Sequence, residues 1–549
     1  MDKAIDHITC PYCFSTFSHD EVHFRMETVL TPDEFDVPAN EDDRKYELKD
    51  IDNDITLSDE ERKRRHDAFV QRSAFAEGDD PEYAKFWDAR GGTTEDDPVT
   101  VGTGMSQHEI QAYQMPVFNP MDANDRRNFA AQPLLRRTDG FVRGAVDCFG
   151  NETSRRVCPK CHNPLPGAYG TYPVKFISVI GVTGAGKTVF LSQLCRYVED
   201  QFAGYDISIT PTSAYAHKYQ KENAVDMGKP LPAGTAPGML LQPLCFDVSY
   251  NIDTAQGQES RKQTLVFYDI AGENCMQGEG GTIGAGLNRF GPFIEHSDGL
   301  ILLVAPEQIA NDAQSAVPTE VLTVIHALFG MAIRGTEALE TMPLAVCISK
   351  GDTIDQMVLG EPMHDMVEES DKLGHLVPKF NAQDYNDIQG SVTRFVETNA
   401  RTLATAMRSN YHCSNYFLFS AIGTDVAAQK NPTTGQTFYT PAAPVSPKRL
   451  VEPLLWILTQ FRYLDSTGFV NEPNDWRCPK CDRRLHRPRK GDQRSFFCPD
   501  CLVNKDGQWR CPGCGQLHSD AEIWCENKTT GRKCNCDRYG NRKKLFGMF

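Results

Sequence analysis

"VKFISVIGVTGAGKTVFLSQL", from Val174 to Leu194, decides how the rest of the chain is read. It opens with a mostly apolar, β-branched run, the composition of a buried strand. "GVTGAGKT" then sets Gly181, Gly184, Ala185, Gly186, Lys187 and Thr188 in the spacing GxxxxGK[ST], and Val189 begins a helical pattern. Glycines let the backbone fold tightly and turn several N–H groups inward, which makes a nest for a phosphate. The helix after such a loop presents its positive dipole end to the same anion. Lys187 is placed to reach β- and γ-phosphates, and Thr188 to hold Mg²⁺ through its hydroxyl. Strand, loop and helix in that order separate this match from a chance glycine-rich turn.

Outward from this unit, apolar strands alternate with helical patterns up to about Leu464. The alternation predicts an α/β fold with a mostly parallel central sheet flanked by helices. Strands are expected at 174–180, 244–250, 264–268, 299–305, 344–349 and 415–420. Helices are expected at 187–201, 318–332, 384–409 and 448–462, with a further helix in the insertion 212–240. At 549 residues the chain is long enough for several domains. The α/β domain takes residues 171–466.

A nucleotide switch needs a second loop that feels the γ-phosphate. "QTLVFYDIAGE" ends a strand at Asp269, with Gly272 in DxxG spacing and Glu273 after it. Asp269 would sit beside the magnesium, and the N–H of Gly272 would report the phosphate. Base choice is read from "LAVCISKGDTID", with Ser349, Lys350 and Asp352 in the spacing [N/T/S]KxD. A carboxylate pairs with the N1–H and N2–H₂ edge of guanine and is left unpaired by adenine. "NYFLFSAIGTD" adds Ser420, Ala421 and Ile422, where a backbone N–H meets the guanine oxygen. A magnesium-binding threonine is expected at Thr235, in "LPAGTAPG", with Thr210 and Thr212 as competitors.

These four motifs, in this order, resemble the Ras-like P-loop GTPases of the translation-factor superclass. "CPYC", "CPKCHNPLP" and "DIAGE" resemble the bacterial double-GTPase family branch with zinc ribbons, often found in prokaryotic conflict systems. The resemblance implies a P-loop NTPase fold, GTP/GDP and Mg²⁺ as ligands, and GTP hydrolysis using Lys187, Thr235, Gly272 and Glu273. It implies a companion GTPase or another protein as partner, in a bacterial defence setting. Ser349 stands where the family carries Asn, and Glu273 where many members carry a water-orienting Gln. Slow intrinsic hydrolysis is therefore expected, raised by a partner or by dimerisation. Two other readings stay open: an ATP-using P-loop enzyme, and a non-hydrolysing nucleotide-bound scaffold or nucleic-acid adaptor.

The 19 cysteines fall largely into CxxC pairs, a metal-binding pattern in a reducing compartment. Cys10 and Cys13 pair with Cys158 and Cys161 across 144 residues as a split zinc ribbon, residues 1–29 with 151–170. Between them, residues 30–150 form an acidic insertion, partly disordered, in which Ser58 and Glu61 have capping-box spacing before a helix. Cys478, Cys481, Cys498 and Cys501 have the ribbon spacing CxxC-x16-CxxC. Cys511 and Cys514 begin another set with Cys525 and Cys534, Cys536 and His518 being alternatives. About three Zn²⁺ ions follow from these ligand sets. Cysteines standing singly in apolar strands are read as small buried side chains.

The net charge of −17 is uneven, with about 22 acidic against 10 basic residues from Asp33 to Asp97 and about 17 basic against 8 acidic over residues 476–549. The basic tandem-ribbon tail carries Trp476, Phe496, Phe497, Trp509 and Trp524. It suits protein docking, or nucleic acid by charge and stacking. No apolar run of eighteen residues predicts a membrane span, and no secretory pattern opens the chain, so the expected compartment is the cytoplasm.

Overall fold

The computed structural model describes residues 7–26, 38, 41–76, 80–89, 116–125, 134–147, 150–182, 184–202, 207–232, 242–254, 257–271, 285–332, 334–366, 368–370, 376–378, 382–430, 437–461, 476–480, 484–485, 497–498, 501–504, 506–526 and 534–539. The chain forms two compact units, Met1–Tyr172 with Thr212–Ala214, and Pro173–Pro211 with Tyr215–Phe549. Among the described residues no helix is long and apolar enough to cross a membrane.

In the first unit a short hairpin, His7–Thr9 with Thr16–Ser18, carries the Cys10–Cys13 turn. The strand His23–Arg25 pairs with Val117–Phe118 on one side and Arg156–Val157 on the other, which brings the second cysteine pair alongside. The acidic insertion has more regular structure than its composition suggests, with helices Glu41–Asn53, Asp59–Ala76 and Pro81–Asp88. Ser58 Oγ accepts from the Glu61 N–H at 3.2 Å, as its spacing predicts. Asp80 caps the third helix and Pro81 starts it, a favourable pairing at a helix entry. That helix buries Tyr83, Phe86 and Trp87, and Tyr12 of the cysteine turn meets Phe86 and Trp87 edge-on at 6.4 and 6.2 Å between centroids.

The second unit is built on seven strands: β1 Val174–Gly181, β2 Ile207–Pro211, β3 Leu244–Thr254, β4 Gly257–Ala271, β5 Gly299–Val304, β6 Leu344–Ile348 and β7 Ser414–Leu418. Their order in the sheet is β2-β3-β4-β1-β5-β6-β7. Strand β3 runs antiparallel to both neighbours, and the other neighbouring pairs are parallel. Every residue of β5 and β6 is buried, as expected for central strands covered on both faces. The helices are α1 Lys187–Phe202, α2 Ala214–Glu222, α3 Ala285–Glu295, α4 Ala316–Met331, α5 Ala382–Asn399, α6 Arg401–Asn410 and α7 Glu452–Gln460. From α1, Phe190, Leu191, Leu194, Val198 and Phe202 enter the main core with Ile177 and Val179 of β1. Helix α7, "EPLLWILTQ", is buried over residues 452–459 and so is apolar nearly all round.

Six predicted strands are present, and two readings change. The helix expected over 384–409 breaks at Ala400, whose φ of −125° and ψ of 60° leave the helical region. Just before the break, Asn399 Nδ2 donates to the Phe395 carbonyl at 2.9 Å, the side-chain competition that weakens helix interiors. Strand β2 was not anticipated: "ISITP" is short and ends in Pro, yet its alternating burial fits an edge strand on β3.

Trp87 is the largest side chain packed under the insertion helix. Trp87→Ala should lower the stability of the first unit by about 3–5 kcal/mol, seen as an earlier urea transition, because a buried cavity replaces the indole. An unchanged midpoint would mean the helix is not docked.

Candidate functional site: the carboxyl edge of the sheet

Register brings the four predicted loops to one edge. Ala271 of β4 lies opposite Gly181 of β1, and Asp269 opposite Val179. Leu303 of β5 also pairs with Gly181, Val304 with Ile348 of β6, and Ile348 with Leu418 of β7. In open α/β sheets the carboxyl edge is where ligands bind, because loops and helix N-termini converge there.

The phosphate loop is shaped by its glycines. Gly184 and Gly186 have φ of +78° and +73°, which side chains rarely adopt. A Cβ added at either would meet nothing within 4 Å, so the loop lines open space. The Val182 N–H donates to the Leu303 carbonyl at 3.2 Å, and the Ala185 N–H to Val182 at 2.9 Å. Helix α1 starts directly at Lys187, and Phe190 N–H bonds back to Gly186 at 2.9 Å. Lys187 and Thr188 are both buried, and Val189 is half-buried.

Lys187 Nζ forms an ion pair with Asp269 Oδ1. The other oxygen of that carboxylate, Oδ2, accepts from the Tyr219 hydroxyl at 3.1 Å. Tyr219 comes from α2, in the insertion, and the motifs give no sign of it. Thr210 is ruled out as a magnesium ligand: through Asp247 and Thr264 it is level with Val174, at the far end of β1 from Gly181. Thr235, Gly272, Glu273 and Cys481 lie outside the described residues.

The second pair of loops is braced from behind. Ser349 is buried; its N–H and its Oγ both donate to the Val304 carbonyl, at 3.0 and 3.3 Å. The serine hydroxyl therefore ties β6 to β5. Lys350 adopts a left-handed φ of 50° and starts the 3₁₀ turn Gly351–Thr353 that carries Asp352. Gly351 N–H bonds the Phe419 carbonyl at 2.9 Å, and a Cβ there would fall 2.8 Å from Leu418 Cγ. Ser420 exchanges backbone bonds with Lys448 and accepts at Oγ from the Gly423 N–H at 2.9 Å. The Ile422 carbonyl accepts from Ser446 N–H at 2.8 Å. Gln193 Nε2, fully buried on α1, donates to the Ala421 carbonyl at 3.3 Å and so joins the phosphate-loop helix to this loop.

Next to Lys448 sits Arg449, buried, with φ of 54°. It forms ion pairs with Glu452 and, at 2.8 Å, with Asp384, while its N–H donates to Asp365 at 2.8 Å. Burial raises the Glu452 carboxyl above its ordinary range, and Arg449 beside it opposes that shift. This cluster ties the segment after the Asp352 turn to the starts of α5 and α7.

The cysteine sets are brought together as their spacing predicts. The sulfurs of Cys10, Cys13, Cys158 and Cys161 lie within 4.8 Å of one another, as do those of Cys511, Cys514, Cys525 and Cys534, and those of Cys478, Cys498 and Cys501. Four turns share one hydrogen-bond ring. The N–H four residues after the first cysteine returns to that cysteine's carbonyl, from Phe14, His162, Leu502 and Gly515, at 2.8–3.0 Å. Each of those residues has positive φ. Burial pushes the Cys10 and Cys161 thiols up, while the hydrogen bond from Cys10 holds Cys13 down. Cys245 and Cys347, single in apolar strands, are buried as expected, and so is Cys195 on α1. Trp509 corrects the stacking reading: it is fully buried, its Nε1 donating to Ser519 and Glu522 carbonyls at 3.0 and 2.8 Å.

No known family matches the sequence, and no curated protein does. Among solved structures the chain is similar to a point variant of Era from Aquifex aeolicus bound to GDP·AlF4⁻, at 12% identity and a TM-score of 0.22, covering 53% of this chain and 57% of that one. It is also similar to the SRb-GTP/SRX complex of the signal recognition particle receptor from Chaetomium thermophilum, at 14% identity and a TM-score of 0.20, covering 47% of this chain and 94% of that one. Elongation factor SelB from Methanococcus maripaludis, with the GTP analogue GppNHp, gives 8% identity and a TM-score of 0.20 over 55% of this chain and 37% of that one. The chain thus spans little more than half of the Era chain. The α/β phosphate-loop architecture rests on strand order and loop geometry, which stand without these likenesses.

Arg449→Met would leave Glu452 buried without its cation and take the guanidinium from half-buried Asp384, which keeps His364. A loss of about 3–5 kcal/mol is expected in denaturant titration, with partial recovery in Arg449→Met/Glu452→Met. Equal stability of wild type and Arg449→Met would show that the cluster braces nothing.

Proposed function

We propose that this protein is a Mg²⁺-dependent guanine-nucleotide switch with slow GTP hydrolysis, flanked by zinc ribbons. One observation carries the reading: an open loop of left-handed glycines, the Lys187–Asp269 pair and the Ser349–Asp352 turn share one sheet edge. Lys187 and the N–H groups of Gly184–Lys187 hold the phosphates. Thr188 and Asp269 supply hard oxygen donors, the chemistry that suits Mg²⁺, and both stand beside the loop. Magnesium, when bound, neutralises charge on the β- and γ-phosphates. Asp352 accepts from the guanine edge, and Lys350 covers the ring. The residues around Thr235 and Gly272, with Glu273, are the segments proposed to respond to the γ-phosphate.

The cysteine sets hold zinc in this reading. Cys10, Cys13, Cys158 and Cys161, and Cys511, Cys514, Cys525 and Cys534, would each offer zinc four thiolates, the donor set of a structural site, and the ring of bonds at the Cys10, Cys158 and Cys511 turns pre-shapes them. Such sites hold together segments too small for a core of their own. The partner is a protein docked through the ribbons, a companion GTPase in a bacterial conflict system by the resemblance. The burial of Trp509 removes one stacking face that nucleic acid would need.

Titration with a fluorescent GDP analogue tests the nucleotide reading. GTP and GDP should displace it, ATP should not, and Asp352→Asn should weaken guanine-nucleotide binding at least about a hundredfold while gaining xanthine nucleotides. Displacement by ATP at equal concentration would defeat it. Elemental analysis of protein purified without chelator should give about three zinc ions per chain; a metal-free, fully folded protein would remove the ribbons from the account.

A further inference from the structure

The insertion helix α2 has a role the motifs do not announce. Tyr219 stands 50 residues before Asp269 in sequence, yet its hydroxyl reaches Asp269 Oδ2 at 3.1 Å. Its position is not that of a loose surface contact. The side chain is buried, and its ring meets Tyr215 at 6.0 Å between centroids. Helix α2 and the turn after it are riveted to α1. Ser192 Oγ donates to the Asn223 carbonyl at 2.5 Å, and Gln220 Nε2 to the Cys195 carbonyl at 2.8 Å. Arg196 reaches the Val225 carbonyl at 3.2 Å and the Asp226 carboxylate at 2.9 Å. Because α1 starts at the phosphate loop, Tyr219 and that loop are carried on one rigid support.

Asp269 therefore has one oxygen on Lys187 and the other on Tyr219. The two partners differ in kind. Lys187 is a cation and will follow a polyphosphate, whose charge exceeds that of one carboxylate. Tyr219 is a neutral donor, since a phenol carries its proton at neutral pH and offers one O–H to the carboxylate. A neutral donor orients a carboxylate without cancelling the charge a metal needs.

We propose that Tyr219 is a positioning residue for Asp269: it fixes Oδ2, so that Oδ1 stays aimed at the phosphate loop when Lys187 turns to the phosphates. This rests on the nucleotide reading above. Removing the hydroxyl leaves the ring in place but frees the carboxylate to rotate. The effect then falls on the metal-dependent part of nucleotide affinity, not on the metal-free part. A packing role would move both together.

The test uses the full chain and a fluorescent GDP analogue, titrated with Mg²⁺ from an EDTA-buffered start. In Tyr219→Phe the Mg²⁺ concentration giving half of the metal-dependent gain should rise about tenfold, the scale of one hydrogen bond to a charged group. Affinity in EDTA and the melting temperature should stay with wild type. Tyr215→Phe, which removes a hydroxyl from the same aromatic pair, should leave the Mg²⁺ midpoint in place. In an Asp269→Asn background, Tyr219→Phe should add nothing further. Coincident Mg²⁺ midpoints for wild type and Tyr219→Phe would overturn the proposal while leaving the nucleotide reading intact. A parallel fall with and without metal would also overturn it, in favour of packing. Wild-type protein that binds no guanine nucleotide in either condition would end both.

Discussion

A methyl group at Gly181 would come within 2.8 Å of Lys187 Cβ, so the end of β1 and the start of α1 meet at bare backbone. That close approach is what the site depends on. It lets the chain reverse through Gly184 and Gly186 and place Lys187 at the first position of a helix, where the first-turn N–H groups lack intrahelical carbonyls. The Val182–Leu303 bond then fastens the loop to β5, and Ser349 fastens the next loop to the neighbouring carbonyl of Val304. Through these links the phosphate loop and the Asp352 turn hang from consecutive residues of one buried strand. Their spacing is set by strand separation, not by loop stiffness.

The same economy of backbone recurs in the cysteine turns. Each places a residue in the left-handed region four positions after the first cysteine, and its N–H closes a ring on that cysteine's carbonyl. In three of the four cases the residue is not glycine, namely Phe14, His162 and Leu502. A non-glycine residue there costs on the order of 1 kcal/mol or more, which the surrounding bonds must offset. At His162 the side chain helps, since Nδ1 bonds the Asp80 carboxylate at 2.7 Å and Asp80 is held in turn by Arg25. The helix Pro81–Asp88 therefore leans on the second cysteine turn through the Asp80–His162 hydrogen bond and on the first through Tyr12, Phe86 and Trp87.

Legibility in the sequence followed locality. The phosphate loop, the apolar strand runs and each CxxC turn depend on neighbours a few residues apart, and a close spacing leaves a pattern, even where two such turns then meet across 144 residues. Strand β2 escaped because five residues ending in Pro carry too little signal, though its register later settled where Thr210 lies. Tyr219, Gln193 and Arg449 escaped for another reason. Each acts on a residue far along the chain, Gln193 reaching Ala421 across 228 positions, so no spacing rule connects them. Trp509 misled because an aromatic in a basic segment reads as a stacking surface, while the fold uses it as a core.

By itself the sequence determined the chemistry on offer: a glycine loop with one ammonium, carboxylates at Asp269 and Asp352, and thiols in pairs. These follow from residue type and short spacing, which no packing can alter. Tertiary structure alone decided which of those groups meet. Parallel register carried Asp269 to the end of β1, α2 brought a neutral phenol to it, and a buried arginine tied Asp365 to the starts of α5 and α7. Such meetings depend on burial and on contacts across long stretches of chain, and their cost and gain exist once the sheet has formed.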